Sequence, residues 1–251
     1  MVVWSPSEWS MRMSKKIKQH PLYWRIKLYL KRLSGRELWL HPDVRIDTCP
    51  SDDWQFCPKF LDQNSVVYSL GVGDSIIFDL KIIKNCGSTV HAFDPTPFSV
   101  EWIKSQALPR QFVFHQWAIA GSDGVIRMTR RVSRKGKKSK VMWTSMLDNA
   151  EDPEIIEVPC FTLQTIMKKL NHERIDLVKM DVEGAEYEII ESLLNMPNKP
   201  SQLLVEFHHR FPGIGLAKTA KCIGDLRAAG YRLFAISATG REVGFVHESR
   251  L

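Results

Sequence analysis

The sequence predicts an α/β fold on a mainly parallel sheet with helices on both faces. Three observations carry this. From residue 64 onward, short apolar runs alternate with amphipathic helical stripes. Several of these runs end directly in a glycine or an acid, as strands do at the ligand edge of an open α/β sheet. The last two runs stand close together with no helix between them and read as a closing strand pair.

The elements follow in order. Val66–Leu70 is a short apolar run ending in glycine and reads as a buried strand. Ile76, Ile77, Leu80 and Ile83 form a helical stripe. Thr89–Phe93 is a second strand, Phe98–Ser105 a second helix and Phe112–Ile119 a third strand. Leu163–Leu170 reads as a helix and Ile175–Met180 as a strand. Val182, Ala185, Ile189 and Leu193 then share one helical face. Leu203–Phe207 is a strand, Leu216–Ala229 a helix, and Tyr231–Ile236 with Val243–His247 the closing pair. Residues 121–160 break the rhythm, with extra strands expected at Val125–Met128 and Ile155–Cys160 around a basic loop whose tip should be mobile.

Residues 61–251 form the expected domain, and residues 1–60 a basic, partly helical N-terminal extension. Within the extension Leu22, Ile26, Tyr29, Leu30 and Leu33 share one helical face, opposite Arg25, Lys27, Lys31 and Arg32. Such a helix either packs on the domain with its charges solvated, the reading we favour, or lies on an anionic membrane surface. Trp54, Phe56 and Phe60 read as core contacts.

The chain has 251 residues, 44% hydrophobic and 25% charged, which excludes wholesale disorder and fibrous structure. Cysteines 49, 57, 86, 160 and 222 lack C-x-x-C spacing, so neither a zinc knuckle nor a redox pair is expected. Free thiols, the absence of an apolar run near the ~18 residues of a spanning helix, and cations at Arg12, Lys15, Lys16 and Lys18 point to the cytoplasm.

The net charge of +7 is uneven. Residues 1–36 carry nine cations against Glu8, and residues 127–140 carry eight against none, which leaves the body acidic. A field confined to two patches argues against a nucleic-acid partner and leaves an anionic acceptor or membrane surface open. Nothing in the sequence sets an oligomeric state.

Three places carry candidate chemistry. Gly71-Val72-Gly73-Asp74 follows the first strand, and Ile76 occupies the third glycine position of a dinucleotide fingerprint. Asp94, at the end of the second strand, can accept hydrogen bonds from ribose hydroxyls, so the set suits an adenosine-containing cofactor. Asp181 follows an apolar strand and should share that sheet edge. Glu183 is expected in the first turn of the next helix, where it would favour the dipole. Asp181 and Glu183 lack a clear third ligand, so no metal is expected. Beyond Leu203–Phe207, His208 and His209 leave a buried strand. His208, neutral near pH 7, is the expected general base, with Asp181 as runner-up. Glu206 can orient an imidazole or a substrate hydroxyl.

Gly71–Asp74, Ala92–Pro97, Lys179–Glu186 and Val205–His208 together resemble the FkbM-type S-adenosylmethionine-dependent methyltransferases over roughly residues 50–248. The wording of Phe93–Pro97 and Glu206–Arg210 is similar to a methyltransferase-like branch of that family. The resemblance implies a class I methyltransferase fold with a seven-stranded sheet and an antiparallel last hairpin. It implies S-adenosylmethionine as donor and O-methylation of a hydroxyl on a small metabolite, sugar or lipid head group. It places Gly71, Gly73 and Asp74 under the donor's methionine and ribose, Asp94 on the ribose, and Trp117 and Ala118 beside the adenine. Asp181 would face the methionine amine or the acceptor. Two other readings compete. Ile76 and the Asp181–Glu186 motif count against an NAD-dependent oxidoreductase. Intact Gly71, Gly73, Asp94 and Asp181 count against a non-catalytic binding protein.

Overall fold

The computed structural model describes residues 21–132, 136–145 and 154–251. Arg12, Lys15, Lys16, Lys18, Arg134 and Lys135 lie outside the described residues.

The N-terminal part gives helix α1 (Pro21–Leu33) and a short antiparallel hairpin, β1 (Cys49–Ser51) and β2 (Trp54–Phe56). The main body follows as β3 (Val66–Leu70), α2 (Ile77–Cys86), β4 (Thr89–Phe93), α3 (Pro97–Lys104) and β5 (Phe112–His115). Strands β6 (Ala118–Ile119), β7 (Gly124–Val132), β8 (Lys138–Thr144) and β9 (Ile156–Phe161) come next. The chain closes with α4 (Leu163–Leu170), β10 (Leu177–Met180), α5 (Glu186–Leu194), β11 (Gln202–Glu206), α6 (Gly215–Ala228), β12 (Tyr231–Ile236) and β13 (Glu242–His247).

Seven strands form a mixed sheet in the order β12-β13-β11-β10-β3-β4-β5. Strands β11, β10, β3, β4 and β5 run parallel, and β13 runs antiparallel to both its neighbours. The chain moves from β3 outward to β4 and β5, then returns to lay β10 on the other side of β3. Order therefore reverses between β3 and β10, and their carboxyl ends, Leu70 and Met180, stand in register.

Both sheet faces are covered, and the alternation of side chains shows how. Tyr68 and Leu70 of β3, Val178 and Met180 of β10, and Leu203 and Val205 of β11 pack with α4, α5 and α6. Val67, Leu177 and Leu204 point the other way, into a cluster with Phe78 and Ile82 of α2 and with Trp54 and Phe56 of β2. Local signals set the helix ends. Thr96 caps α3 by accepting from Ser99 N, with Pro97 in the first turn; Thr162 caps α4 by accepting from Thr165 N; and Gly87 ends α2 in the left-handed region.

Four expectations need correction. The stretch Phe112–Ile119 is not one strand. It breaks at Gln116-Trp117, because β5 pairs with β4 and β6 pairs with β9 of a second, four-stranded sheet, β6-β9-β7-β8. The described part of the basic stretch 127–140 lies mostly in strands β7 and β8, and the expected mobile tip at 133–135 lies outside the described residues. Those strands are held by antiparallel pairing of β7 to both β9 and β8.

The α1 helix packs through the opposite face from the one its apolar stripe suggests. Leu28 abuts Gly240, and Arg32 donates to the carbonyls of Leu38 and Leu40 at 3.0 and 3.3 Å, while Leu22, Ile26, Tyr29, Leu30 and Leu33 are exposed. Finally, Glu183 is not helical. It has φ +49° and precedes α5, which begins at Glu186.

The segment before residue 61 is bound into the body. Gln202 accepts from Cys57 N at 2.8 Å and donates to Cys57 O at 3.0 Å, and Asp43 accepts from Arg227 and from Leu233 N. All five cysteines are free. Among the described residues no helix is long and apolar enough to cross a membrane.

Candidate active site

The carboxyl ends of β3, β4, β10 and β11 open into a cavity of about 580 Å³, a size suited to a small-molecule ligand. Gly71, Gly73, Asp74, Asp94, Trp117, Ala118, Asp181 and His208 all line it.

The glycine loop is fixed by a backbone apposition. Gly71 has φ +83°, and a Cβ there would lie 1.9 Å from the Asp181 carbonyl oxygen. Gly71 N donates to Phe93 O at 3.0 Å, and Asp181 N donates to Leu70 O at 2.9 Å. The two loops at the switch point therefore share one wall.

Asp94 is buried, and its carboxylate is engaged by the loop it adjoins. Its Oδ2 accepts from Val72 N, Gly73 N and Ser99 Oγ at 3.0, 3.1 and 2.8 Å. Its Oδ1 accepts from Thr96 N and Thr96 Oγ1 at 2.9 and 2.7 Å. Five donors use the acceptor capacity of the carboxylate, so Asp94 shapes the glycine loop directly. Trp117 stacks on His115 with centroids 5.0 Å apart and meets the edge of Phe161, which sets a flat aromatic wall beside Ala118.

The other end of the cavity is a carboxylate cluster around one imidazole. His208 Nδ1 lies 3.3 Å from Glu186 Oε2, and His208 N donates to Glu186 Oε1 at 2.8 Å. Glu186 is fully buried and also accepts from Gly184 N at 3.0 Å. Around His208 Nε2 stand Glu183 at 3.7 Å, Asp181 at 3.9 Å and Glu206 at 3.9 Å.

Burial opposes charge on the imidazole, but the hydrogen bond and charge of Glu186, with Glu206 and Glu183, outweigh it and push His208 up to about 9. This corrects the expectation of a neutral imidazole at pH 7. Burial and the charge of Asp181 push Glu206 up to about 8, against His208 and Arg241. Burial likewise raises Glu183, opposed by His208 and Arg131.

Several contributors were missed from sequence. Arg241 Nη1 meets Glu206 Oε1 at 2.8 Å. Arg131 Nη1 meets Glu183 Oε2 at 3.1 Å, and Thr144 Oγ1 donates to Glu183 O at 2.8 Å. The basic hairpin thus reaches the acidic motif, and Val141, Met142 and Trp143 of β8 line the cavity. Its placement outside every motif in the sequence concealed this. Glu37, buried, holds His209 Nε2 at 3.0 Å and pairs with Arg210, which ties the segment after α1 to the residues beyond β11.

The sequence profile described as the Methyltransferase FkbM domain matches residues 63–233, more than half the chain and every element of this cavity except the residues beyond β12 and the N-terminal hairpin. The chain belongs to the FkbM methyltransferase-domain family. The FkbM domain is also similar to the probable methyltransferase-like protein 24 of Homo sapiens, at 24% identity over 168 residues, covering 66% of this chain and 38% of that protein. For the same protein of Rattus norvegicus the identity is 24% over 197 residues, covering 74% and 47%. The chain therefore spans less than half the length of these curated relatives.

Among solved structures it is similar to Aeropyrum pernix fibrillarin with bound S-adenosyl-L-methionine, at 8% identity and a TM-score of 0.39, covering 74% of this chain and 66% of that one. It is also similar to M. jannaschii TYW2 in complex with AdoMet, at 10% identity and a TM-score of 0.29, covering 74% and 71%.

Proposed function

We propose that this FkbM domain is an S-adenosylmethionine-dependent methyltransferase that O-methylates a hydroxyl of a small metabolite, sugar or lipid head group. The observation that supports it most is the union, in one cavity, of the glycine loop and Asp94 with the Asp181–His208 cluster. The lining fits such a donor in charge. It carries Asp52, Asp53, Asp74, Asp79, Asp94, Asp181, Glu183, Glu206 and Glu242 against Arg131, Lys179, Arg241 and the His208 imidazole, which favours a ligand bearing a sulfonium and an amine.

Bound S-adenosylmethionine supplies an activated methyl group. The chain's own work is positioning and proton transfer. Gly71 and Gly73 keep side chains out of the approach to the loop, and Asp94 holds that loop by its Val72 and Gly73 amides. Trp117 and Ala118 offer the flat wall for an adenine. Asp181 and His208 face the acceptor. Because the imidazole is already protonated at neutral pH, the Asp181 carboxylate is the better-placed proton acceptor and His208 the group that orients it.

The five free thiols support the cytoplasm as its compartment. The exposed apolar stripe of α1, with Arg25 and Lys27 beside it, supports peripheral contact with an anionic membrane.

The test is ligand binding followed by turnover. S-adenosylhomocysteine should raise the melting temperature and NAD should not. With an acceptor in hand, Asp181→Asn and His208→Ala should each keep donor-product binding and slow single-turnover methyl transfer at least about tenfold. Stabilisation by NAD alone would overturn the reading.

A further inference from the structure

We propose that Asp181, Glu206 and His208 form a binding site for one divalent cation, best matched by Mn²⁺, at the acceptor end of the cavity. The proposal deepens the methyl-transfer reading and rests on it for the role of the ion. The site itself rests on geometry. One ligand atom from each of the three residues lies within 4.8 Å of the others. Asp181 follows β10, Glu206 ends β11 and His208 lies two residues on, so two neighbouring parallel strands of the central sheet set their spacing.

The imidazole supplies the second, independent sign of a ligand. His208 is 6% exposed, and its Nδ1 and main-chain N are both held by the buried Glu186. That contact assigns the proton to Nδ1 and turns Nε2 toward the cavity, the carboxylate–histidine arrangement that orients a metal-binding imidazole. Among the described residues Nε2 makes no hydrogen bond. Its carboxylate neighbours at 3.7–3.9 Å are too far for one. Two ligands that share an ion at about 2.1–2.2 Å stand roughly 3–4 Å apart, and His208 Nε2 stands 3.9 Å from both Asp181 and Glu206.

Charge points the same way. Arg241 meets Glu206 and Arg131 meets Glu183, whereas among the described residues the ion pair of Asp181 is the 3.9 Å approach of His208, with the charge of Arg241 acting at longer range. One imidazole and two carboxylates suit Mn²⁺ or Zn²⁺ better than Mg²⁺, which favours oxygen ligands and water. The open face of the site is the cavity. An ion there would displace the Nε2 proton of His208, hold the acceptor hydroxyl and ease the loss of its proton to solvent, in place of direct transfer to Asp181. The sequence concealed the site because Asp181 stands alone after its strand, whereas Glu206 and His208 come from another strand.

The experiment uses the whole chain stripped with a chelator. Calorimetry with Mn²⁺, and loss of the free-Mn²⁺ electron paramagnetic resonance signal, should show one ion per chain. Zn²⁺ and Mg²⁺ titrations rank the ions. Glu206→Gln and Asp181→Asn, which preserve shape, and His208→Ala should each weaken Mn²⁺ binding by about 10–100-fold, with thermal melts confirming folded protein. Glu186→Gln should weaken it less, through the orientation of His208.

Absence of binding by wild type for all three ions up to about 1 mM, a free energy near 4 kcal/mol, overturns the proposal. Mn²⁺ binding left unchanged by both Glu206→Gln and Asp181→Asn overturns it as well, since the ion would then lie elsewhere. S-adenosylhomocysteine binding, measured without metal, separates the two readings. Donor-product binding without ion binding removes the metal site alone. Ion binding without donor-product binding removes methyl transfer and leaves the site standing.

Discussion

Gly71 and Asp181, 110 positions apart, meet so closely that a Cβ on Gly71 would lie 1.9 Å from the Asp181 carbonyl oxygen. The contact joins the loop after β3 to the loop after β10, where the strand order reverses. Gly71→Ala should therefore cost about 3 kcal/mol or more, from overpacking against backbone and from φ +83°, and should abolish S-adenosylhomocysteine binding. Gly73→Ala is the control. It has φ +58° but meets only a Val141 methyl at 3.4 Å, so its cost should stay near 1 kcal/mol. Urea melts of the two variants check the difference, and equal losses would deny the apposition.

Asp94 shapes the glycine loop, and under the proposed methyl-transfer reading it should thereby support donor binding. Asp94→Ala leaves the Val72, Gly73 and Thr96 amides without their acceptor and takes one acceptor from each of the Thr96 and Ser99 hydroxyls. We expect a loss of about 2–4 kcal/mol in stability and at least a tenfold loss in S-adenosylhomocysteine affinity. Denaturation and calorimetry report the two effects separately. Full stability with weakened binding would assign Asp94 to the ligand alone.

The β7–β8 hairpin is latched to Glu183 by Arg131 and Thr144. Arg131→Ser removes a partly exposed ion pair worth about 1 kcal/mol. Amide exchange across residues 138–144 should then quicken roughly fivefold, while exchange in β10 stays unchanged. Equal exchange in the variant and the wild type would show that the hairpin is held by other contacts.

Acid should destabilise the fold through a histidine cluster on the α4 side of the sheet. Burial, with His172 and His115 as neighbours, pushes His91 down to about 4. Its Nδ1 lies 3.0 Å from His115 Nε2, and His172 Nδ1 lies 2.7 Å from Tyr68 OH. Between about pH 6.5 and 4 the unfolded chain binds a proton that the folded chain refuses. Stability therefore falls as pH drops through this window, by about 1–2 kcal/mol from His91 after allowance for its partial exposure. Thermal melts from pH 7 to 4 should show a shallower decline for His91→Gln than for wild type.

Much of this was legible because it is local. Alternation of apolar runs and helical stripes placed β3, β4, β10, β11 and their helices to within a few residues, since periodicity reports which face is buried. Gly71, Asp94 and Asp181 stood out because each directly follows a strand, with Gly73 two residues on, whereas Trp117 and Ala118 came only from the family resemblance. Where two partners compete for the backbone, periodicity failed. Phe112–Ile119 reads as one strand yet divides between two sheets, and the charges of 127–140 hid the β7–β8 hairpin.

By itself, then, the sequence determined the class of fold, the sheet edge that carries the site, and the glycine and acid positions on it, because these follow from neighbours within one turn or one strand. Tertiary structure alone decided the rest. It set Glu206 and His208 beside Asp181, gave Glu186 to His208 and brought Arg131 to Glu183. It turned the apolar stripe of α1 outward. Each of these depends on which strand lies next to which, and on the charge and burial that result. The protonation of His208 is the clearest case: one imidazole beside Glu183 and Glu186 from the stretch after β10 and Glu206 from the end of β11 has a proton affinity that neither segment carries alone.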